Sequence, residues 1–452
     1  GLFSLIGNTM VNRHPLRQFL QTLEFEQLPP AVIAQAKVCC YDLLGTAVGG
    51  ARSATASIIT RHAQDHFAAG VNITAVQPLL GGPAMSPVGA ALVGATMIDA
   101  LDCHDGQRDT KGHVGCSLLP SLIAVLESQA QPVTGKTLIS LLVAGYEIGT
   151  RVGMALHGTV PDYHTSGAWG AVNCAAITAH VLGLTDAQFD HAVGIAEYHG
   201  PRSQMMRNID HPTMLKDGSG WGAIAGTSAA YLAAEGFTGA PAITITGDDA
   251  MGYWQDLGQH WQILNQYFKP YPVCRWAQPA VAACLSLREQ YQFDPSQVEQ
   301  ITVSTFHQGV RLFSDVPRNT EQAQYAISFP VAMAVLNGVI SADDVYNGFE
   351  DAQVQAMLSK VRLVEDTGYN AVFPAERWAH VNIRMANGTQ ISSEPHEALG
   401  DPHKPMSSTQ FHDKYMNLCE PVWGANKAQQ VLDYIDQLEE GNLAALLALI
   451  RA

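Results

Sequence analysis

From about residue 15 to residue 260, apolar residues recur at helical spacing and are interrupted only by short Gly/Pro loops. Ser86-Pro87 supplies an N-cap followed by proline at the first helical position, and predicts a helix through the small-residue run Gly89–Leu101. Thr134 opens another through Leu138, Leu141, Leu142, Tyr146 and Ile148, and Thr185-Asp186-Ala187-Gln188 is a capping-box pattern. The character changes after about residue 270. Val298–Val303 alternates like a half-buried strand, Lys360–Val364 suggests a second, and His380–Ser393 reads as a hairpin closed by a tight two-residue Asn387-Gly388 turn. Helical stretches interleave (Pro279–Tyr291, Phe329–Asn337), and the tail returns to helix over Ser407–Leu418 and Ala425–Leu449. The expected fold is mainly α: a large all-helical domain built from both chain ends (10–268 and 405–452), with a smaller inserted α+β domain over 269–404.

Composition narrows the functional classes. Of the 452 residues 47% are hydrophobic and only 15% charged, which suits a large buried core. The formal net charge of −16 opposes nonspecific binding to nucleic acid or acidic membranes, since both need a basic face. It leaves room for an anionic substrate held by a few local cations. No run of eighteen apolar residues suggests a membrane span, and Gly1–Met10 lacks the features of a signal peptide. Met10 follows closely, so Gly1–Thr9 is expected to be foreign to the fold. Eight scattered cysteines form no C-x-x-C pair, giving no iron–sulfur or zinc-ribbon pattern and fitting free thiols in a reducing cytoplasm.

The densest polar stretch is Asp102-Cys103-His104-Asp105-Gly106-Gln107-Arg108-Asp109-Thr110-Lys111-Gly112-His113, lying between two apolar segments. It can be read as a catalytic loop, a solvated loop or a metal site, although no helical His spacing fixes a ligand geometry. His164-Thr165-Ser166-Gly167 precedes a helix, where it could receive an anion or simply supply an N-cap. Arg202–Arg207 and Met214–Trp221 place Arg207 and Lys216 among glycines ahead of another helix. Lys269–Trp276 marks the domain junction, either as one wall of a cleft or as a plain linker.

These segments together carry a resemblance. Asp102–Asp105 with Gly112-His113, Tyr163-His164-Thr165, Lys216–Gly220, Gly236–Pro241, Lys269–Arg275, Gln324–Pro330 and Gly400–Pro402 resemble, in order, the motifs of the MmgE/PrpD family. That family includes 2-methylcitrate dehydratase, cis-aconitate decarboxylase and iminodisuccinate epimerase. The resemblance implies a cofactor-free, metal-independent enzyme acting on a di- or tricarboxylate, most simply as a hydro-lyase on a 2-methylcitrate-like substrate, with an α+β lid and a homodimeric assembly; a decarboxylase or epimerase of a related polycarboxylate, and a non-catalytic binding protein of the same fold, are the alternatives. Its catalytic aspartate falls on Asp102, its site histidines on His113 and His164, and its lysine on Lys216. His104, Arg207, Lys269, Arg275 and Tyr325 are the substrate-binding candidates. The sequence departs from the family at His104 and Gly106, where many members read Asp-Phe-Asp-Asp-Thr, and at Cys274–Gln278, where a histidine is common.

Overall fold

The computed structural model describes residues 14–452, so Gly1–Thr9 lies outside the described residues. The molecule is mainly helical, with two principal apolar cores. The first is assembled from helices Pro30–Gly50, Gly115–Ser128, Gly135–Thr159, Gly167–Val181 and Asp186–His199, joined by Ile435–Ile450 from the tail. Local signals read from sequence act as expected. Ser86 Oγ accepts from Gly89 N–H, Thr134 caps Gly135–Thr159, and both bonds of the Thr185/Gln188 capping box are present. Helices Pro30–Gly50 and Gly135–Thr159 are long and apolar enough to cross a membrane, but most of each is packed inside the protein. The second also buries Glu147 and Arg151, paired at 3.0 Å.

The second core surrounds a four-stranded sheet ordered β2-β1-β3-β4, with β1 Val298–Thr305, β2 Val361–Glu365, β3 Ala379–Met385 and β4 Gln390–Ser392. β1 pairs parallel with β2 and antiparallel with β3. Alternating burial along β3 puts Val381 and Ile383 into this core, beneath helices Gln278–Tyr291 and Ser328–Asn337. The β3–β4 connection differs from the two-residue turn expected. Met385 N–H donates to Thr389 O, and only Gly388 (φ +84°) has positive φ, so three residues close the loop. Asn387 instead accepts from Thr389 N–H through its side chain at 2.9 Å, a local bond that competes with the left-handed backbone of a two-residue turn.

The C-terminal tail returns to the first core. Helix Ser408–Trp423 lies on Pro30–Gly50, and Lys414 Nζ bonds Asp42 Oδ1 and Cys103 O, both at 2.7 Å. The expected single helix Ala425–Leu449 is two, Ala425–Asp436 and Leu443–Arg451. The chain between them turns through Leu438–Glu440 and Gly441, and Asn442 caps the second helix.

Candidate active site

The polar stretch beginning at Asp102 is buried, which removes the solvated-loop reading: Asp102, His104, Asp105 and His113 are all nearly inaccessible. Glycine allows this. A Cβ at Gly112 would lie 2.6 Å from Ser166 Oγ and 2.7 Å from the Trp169 ring. A Cβ at Gly222 would come 2.6 Å from Gly167 O, so only glycine lets the starts of helices Gly167–Val181 and Ser219–Ala234 approach closely. That approach sets Ser166 beside Asp217 (3.1 Å) and beneath His113, whose N–H donates to Ser166 Oγ at 3.0 Å. Ser166 is therefore a bridge between segments and makes no side-chain N-cap bond.

A small cavity of ≈ 20 Å³ is lined by Asp102, Lys111, His113, Tyr163, Asp217, Tyr267, Lys269, Tyr325 and Arg377, among others. Lys269 Nζ holds Asp102 Oδ1 at 2.6 Å and Asp102 O at 3.1 Å. Burial pushes the Asp102 carboxyl up, but Lys269, Lys216 and His113 outweigh it and hold the group below the usual range, ionised. Gln324 Oε1 accepts from Asp102 N–H (2.9 Å) and from Lys216 Nζ, tying the two together, and Lys216 Nζ lies 4.9 Å above the Tyr325 ring. Lys216 adopts a left-handed backbone (φ +51°), and burial lowers its pKa against the pull of Asp102 and Asp99.

His113 Nδ1 bonds Asp105 O at 2.6 Å, an arrangement that assigns the proton to Nδ1 and leaves the Nε2 lone pair free. Nε2 stands 3.4 Å from Asp217 Oδ2. Burial pulls the imidazole down and pushes the Asp217 carboxyl up, so the pair favours its neutral form. His104 packs on His113 with ring centroids 4.2 Å apart, and its Nε2 is 3.7 Å from Asp99 Oδ1. Neither His104 ring nitrogen has a hydrogen-bond partner among the described residues. Burial holds His104 well below its usual pKa, and it raises Asp99 to about 8 with help from Asp217.

Two expected site residues stand away from this cavity, and a third is already engaged within it. His164 has its ring stacked on His157 at 6.2 Å and is not among the cavity-lining residues, although its neighbour Tyr163 is. Arg207 is exposed and lines a separate open cavity of ≈ 900 Å³, which meets the cluster at Lys216 and Asp99. Arg275 reaches the small cavity, but its guanidinium is already engaged by Asp401 Oδ2 (2.7 Å), Leu399 O (2.8 Å), Phe268 O (3.2 Å) and the Tyr267 ring. The sequence reading missed Asp99, Asp217, Gln324, Tyr267 and Arg377. Tyr267 was signalled indirectly: its hydroxyl fills the space that a side chain at Gly106 would need, the position where the family commonly has threonine.

Asp102, His104 and His113 also bring one potential ligand atom each within 4.8 Å of one another, a grouping able to hold a metal ion. The expectation of a metal-free site thus meets a donor set that geometry permits. The Lys269 ammonium on Asp102 and the Lys216 ammonium nearby oppose a divalent cation at that point.

Buried acids, an imidazole whose Nδ1 is taken up by Asp105 O and two lysine side chains thus gather where the helical and α+β layers meet. The chain belongs to the MmgE/PrpD family: residues 15–263 match the MmgE/PrpD N-terminal domain and residues 271–440 the C-terminal domain. It is 21% identical to cis-aconitate decarboxylase of Aspergillus terreus, covering 95% of this chain and 93% of that protein. It is 22% identical to the cis-aconitate decarboxylase-like protein oryM of Aspergillus oryzae, covering 80% and 82%.

Proposed function

We propose that this protein is a cofactor-independent lyase that moves a proton on the carbon beside a substrate carboxylate, dehydrating a 2-methylcitrate-like hydroxy di- or tricarboxylate. The observation that carries this reading is His113, whose Nδ1 is taken up by Asp105 O so that Nε2 is left for a proton, beside Asp102 paired with Lys269. A proton α to a carboxylate is weakly acidic, so its removal requires a positioned base and stabilisation of the aci-carboxylate that forms. His113 Nε2 accepts the proton, Lys269 and Lys216 face the developing charge, and a neighbouring acid protonates the departing hydroxyl. Decarboxylation is the second reading, favoured by the names of the Aspergillus relatives. Loss of CO2 leaves an electron pair that the same acid protonates at carbon. Epimerisation of a related polycarboxylate would use the same groups.

The wider proposal is a homodimer of the cytoplasm, with residues 269–404 as a lid on a domain formed by 10–268 and 405–452. Free buried cysteines support the compartment, and exposed Leu215, Trp221 and Ile243 support association. The Lys414–Asp42 pair supports the split domain. Incubation with a panel of di- and tricarboxylates in heavy water, followed by NMR, tests the chemistry before and after exhaustive chelation. Deuterium at an α-carbon, with product formation that His113→Ala and Lys216→Ala each reduce about a hundredfold or more, is expected. Near-native turnover in both variants, or neither exchange nor product with any acid, overturns the reading. Activity lost on chelation and restored by one metal overturns its metal-independence.

A further inference from the structure

Not every cation lining the small cavity has an ion-pair partner among the described residues. Asp102 is matched by Lys269, Asp217 faces His113, and Arg275 is engaged by Asp401. Two cations remain. Arg377, just ahead of β3, lines the cavity with its guanidinium Nε and Nη2 buried and without a hydrogen-bond partner among the described residues. Lys111 approaches from the helical layer with a left-handed backbone (φ +61°), lies 5.2 Å over the Tyr163 ring and forms no ion pair among the described residues. Buried guanidinium nitrogens are normally bonded, and two left open in one fork match the two oxygens of a carboxylate. Burial lowers the Lys111 pKa and the Arg377 charge lowers it further, with Asp109 opposing both.

We propose that Arg377 and Lys111 form a carboxylate subsite remote from the reacting carbon, so that the substrate is at least a dicarboxylate gripped at both ends. One carboxylate meets the Arg377 fork and Lys111, and the other, beside the reacting carbon, meets Lys269 and Lys216. Arg377 comes from the α+β layer and Lys111 from the helical layer, so one bound anion links the two. At ≈ 20 Å³ the cavity has room for about one water between these two cations and the reacting groups.

This subsite rests on the proposed carboxylate chemistry, but its test needs no turnover. Calorimetric titration with tricarballylate, an unreactive tricarboxylate, is to be run on the wild-type protein and on Arg377→Gln, Arg377→Lys and, as a control on β3 away from the cavity, Arg384→Gln. Loss of a bidentate charged contact predicts about 10- to 100-fold weaker binding in Arg377→Gln. Arg377→Lys, which keeps the charge without the fork, should fall between, and Arg384→Gln should bind as wild type. Affinity within threefold of wild type in both Arg377 variants overturns the proposal, as does failure of the wild-type protein to bind tricarballylate. Should Arg377→Gln not fold, Arg377→Lys decides alone. Deuterium exchange by a protein whose Arg377 variants bind normally would remove the subsite and leave the chemistry standing.

Discussion

Replacing Lys269 with methionine removes one partner of the ion pair on which the state of Asp102 depends. Lys269 and Asp102 side chains are 1% and 4% exposed, with Nζ and Oδ1 2.6 Å apart. At an effective dielectric of about 20, Coulomb attraction across that gap is about 6 kcal/mol. Relief of lysine burial and the remaining pull of Lys216 and His113 offset part of it. Breaking a buried pair from one side typically destabilises by about 3–5 kcal/mol, and that range is the expected loss at pH 7.5. The pH dependence follows from the sign of the shift. In the native protein the Asp102 pKa is depressed, so its contribution is present above about pH 4, the unfolded carboxylate value, and is lost as pH falls through the lower folded value. Without Lys269, burial dominates and raises the folded pKa, so the variant loses stability as pH rises past about 4. Urea unfolding should therefore show a gap between the two proteins that widens from pH 4.5 to pH 7.5. Adding Asp102→Asn should recover at least half of it at the higher pH. A loss under about 1 kcal/mol at both pH values, or no recovery in the double variant, would refute the assignment of this pair as the determinant of Asp102 ionisation.

Asp99, buried and raised to about 8, retains its proton in the fold while the unfolded chain releases it, so its contribution to stability falls with rising pH between about 4 and 8. Asp99→Asn keeps an oxygen for Ser219 N–H and should flatten that fall, raising the thermal midpoint at pH 8 relative to the native protein but not at pH 4. An unchanged pH profile refutes the role. Gly50→Ala places a methyl group against the carbonyl oxygen of Met97, where helices Pro30–Gly50 and Pro87–Asp99 meet, and should destabilise by about 1–3 kcal/mol in urea titrations. Wild-type stability in that variant would mean that the helices do not pack at this distance.

What was legible in the sequence is what acts over a few residues. Ser86, Thr134 and the Thr185/Gln188 box announce their helices because each satisfies a backbone N–H within three residues, and alternation in Val298–Val303 announces β1 for the same local reason. The Asn387-Gly388 turn was found but misjudged, because a side-chain bond to Thr389 favoured a longer loop. The site was legible only as a set of segments with suitable chemistry. Charge state depends on pairing, and pairing joins residues far apart in the chain. Arg275 sits in a conspicuous Pro-rich stretch and so looked available, yet Asp401 and two carbonyl oxygens engage it. Arg377 sits in Ala375-Glu376-Arg377-Trp378, where no motif or turn signal marks it, yet two of its guanidinium nitrogens stay open. The two arginines have the same intrinsic chemistry, and which one can receive an anion is decided by the neighbours that already hold the other. A buried cation without a partner is unfavourable unless a ligand supplies the opposite charge, and that is the ground on which an anion subsite is proposed at Arg377 and Lys111.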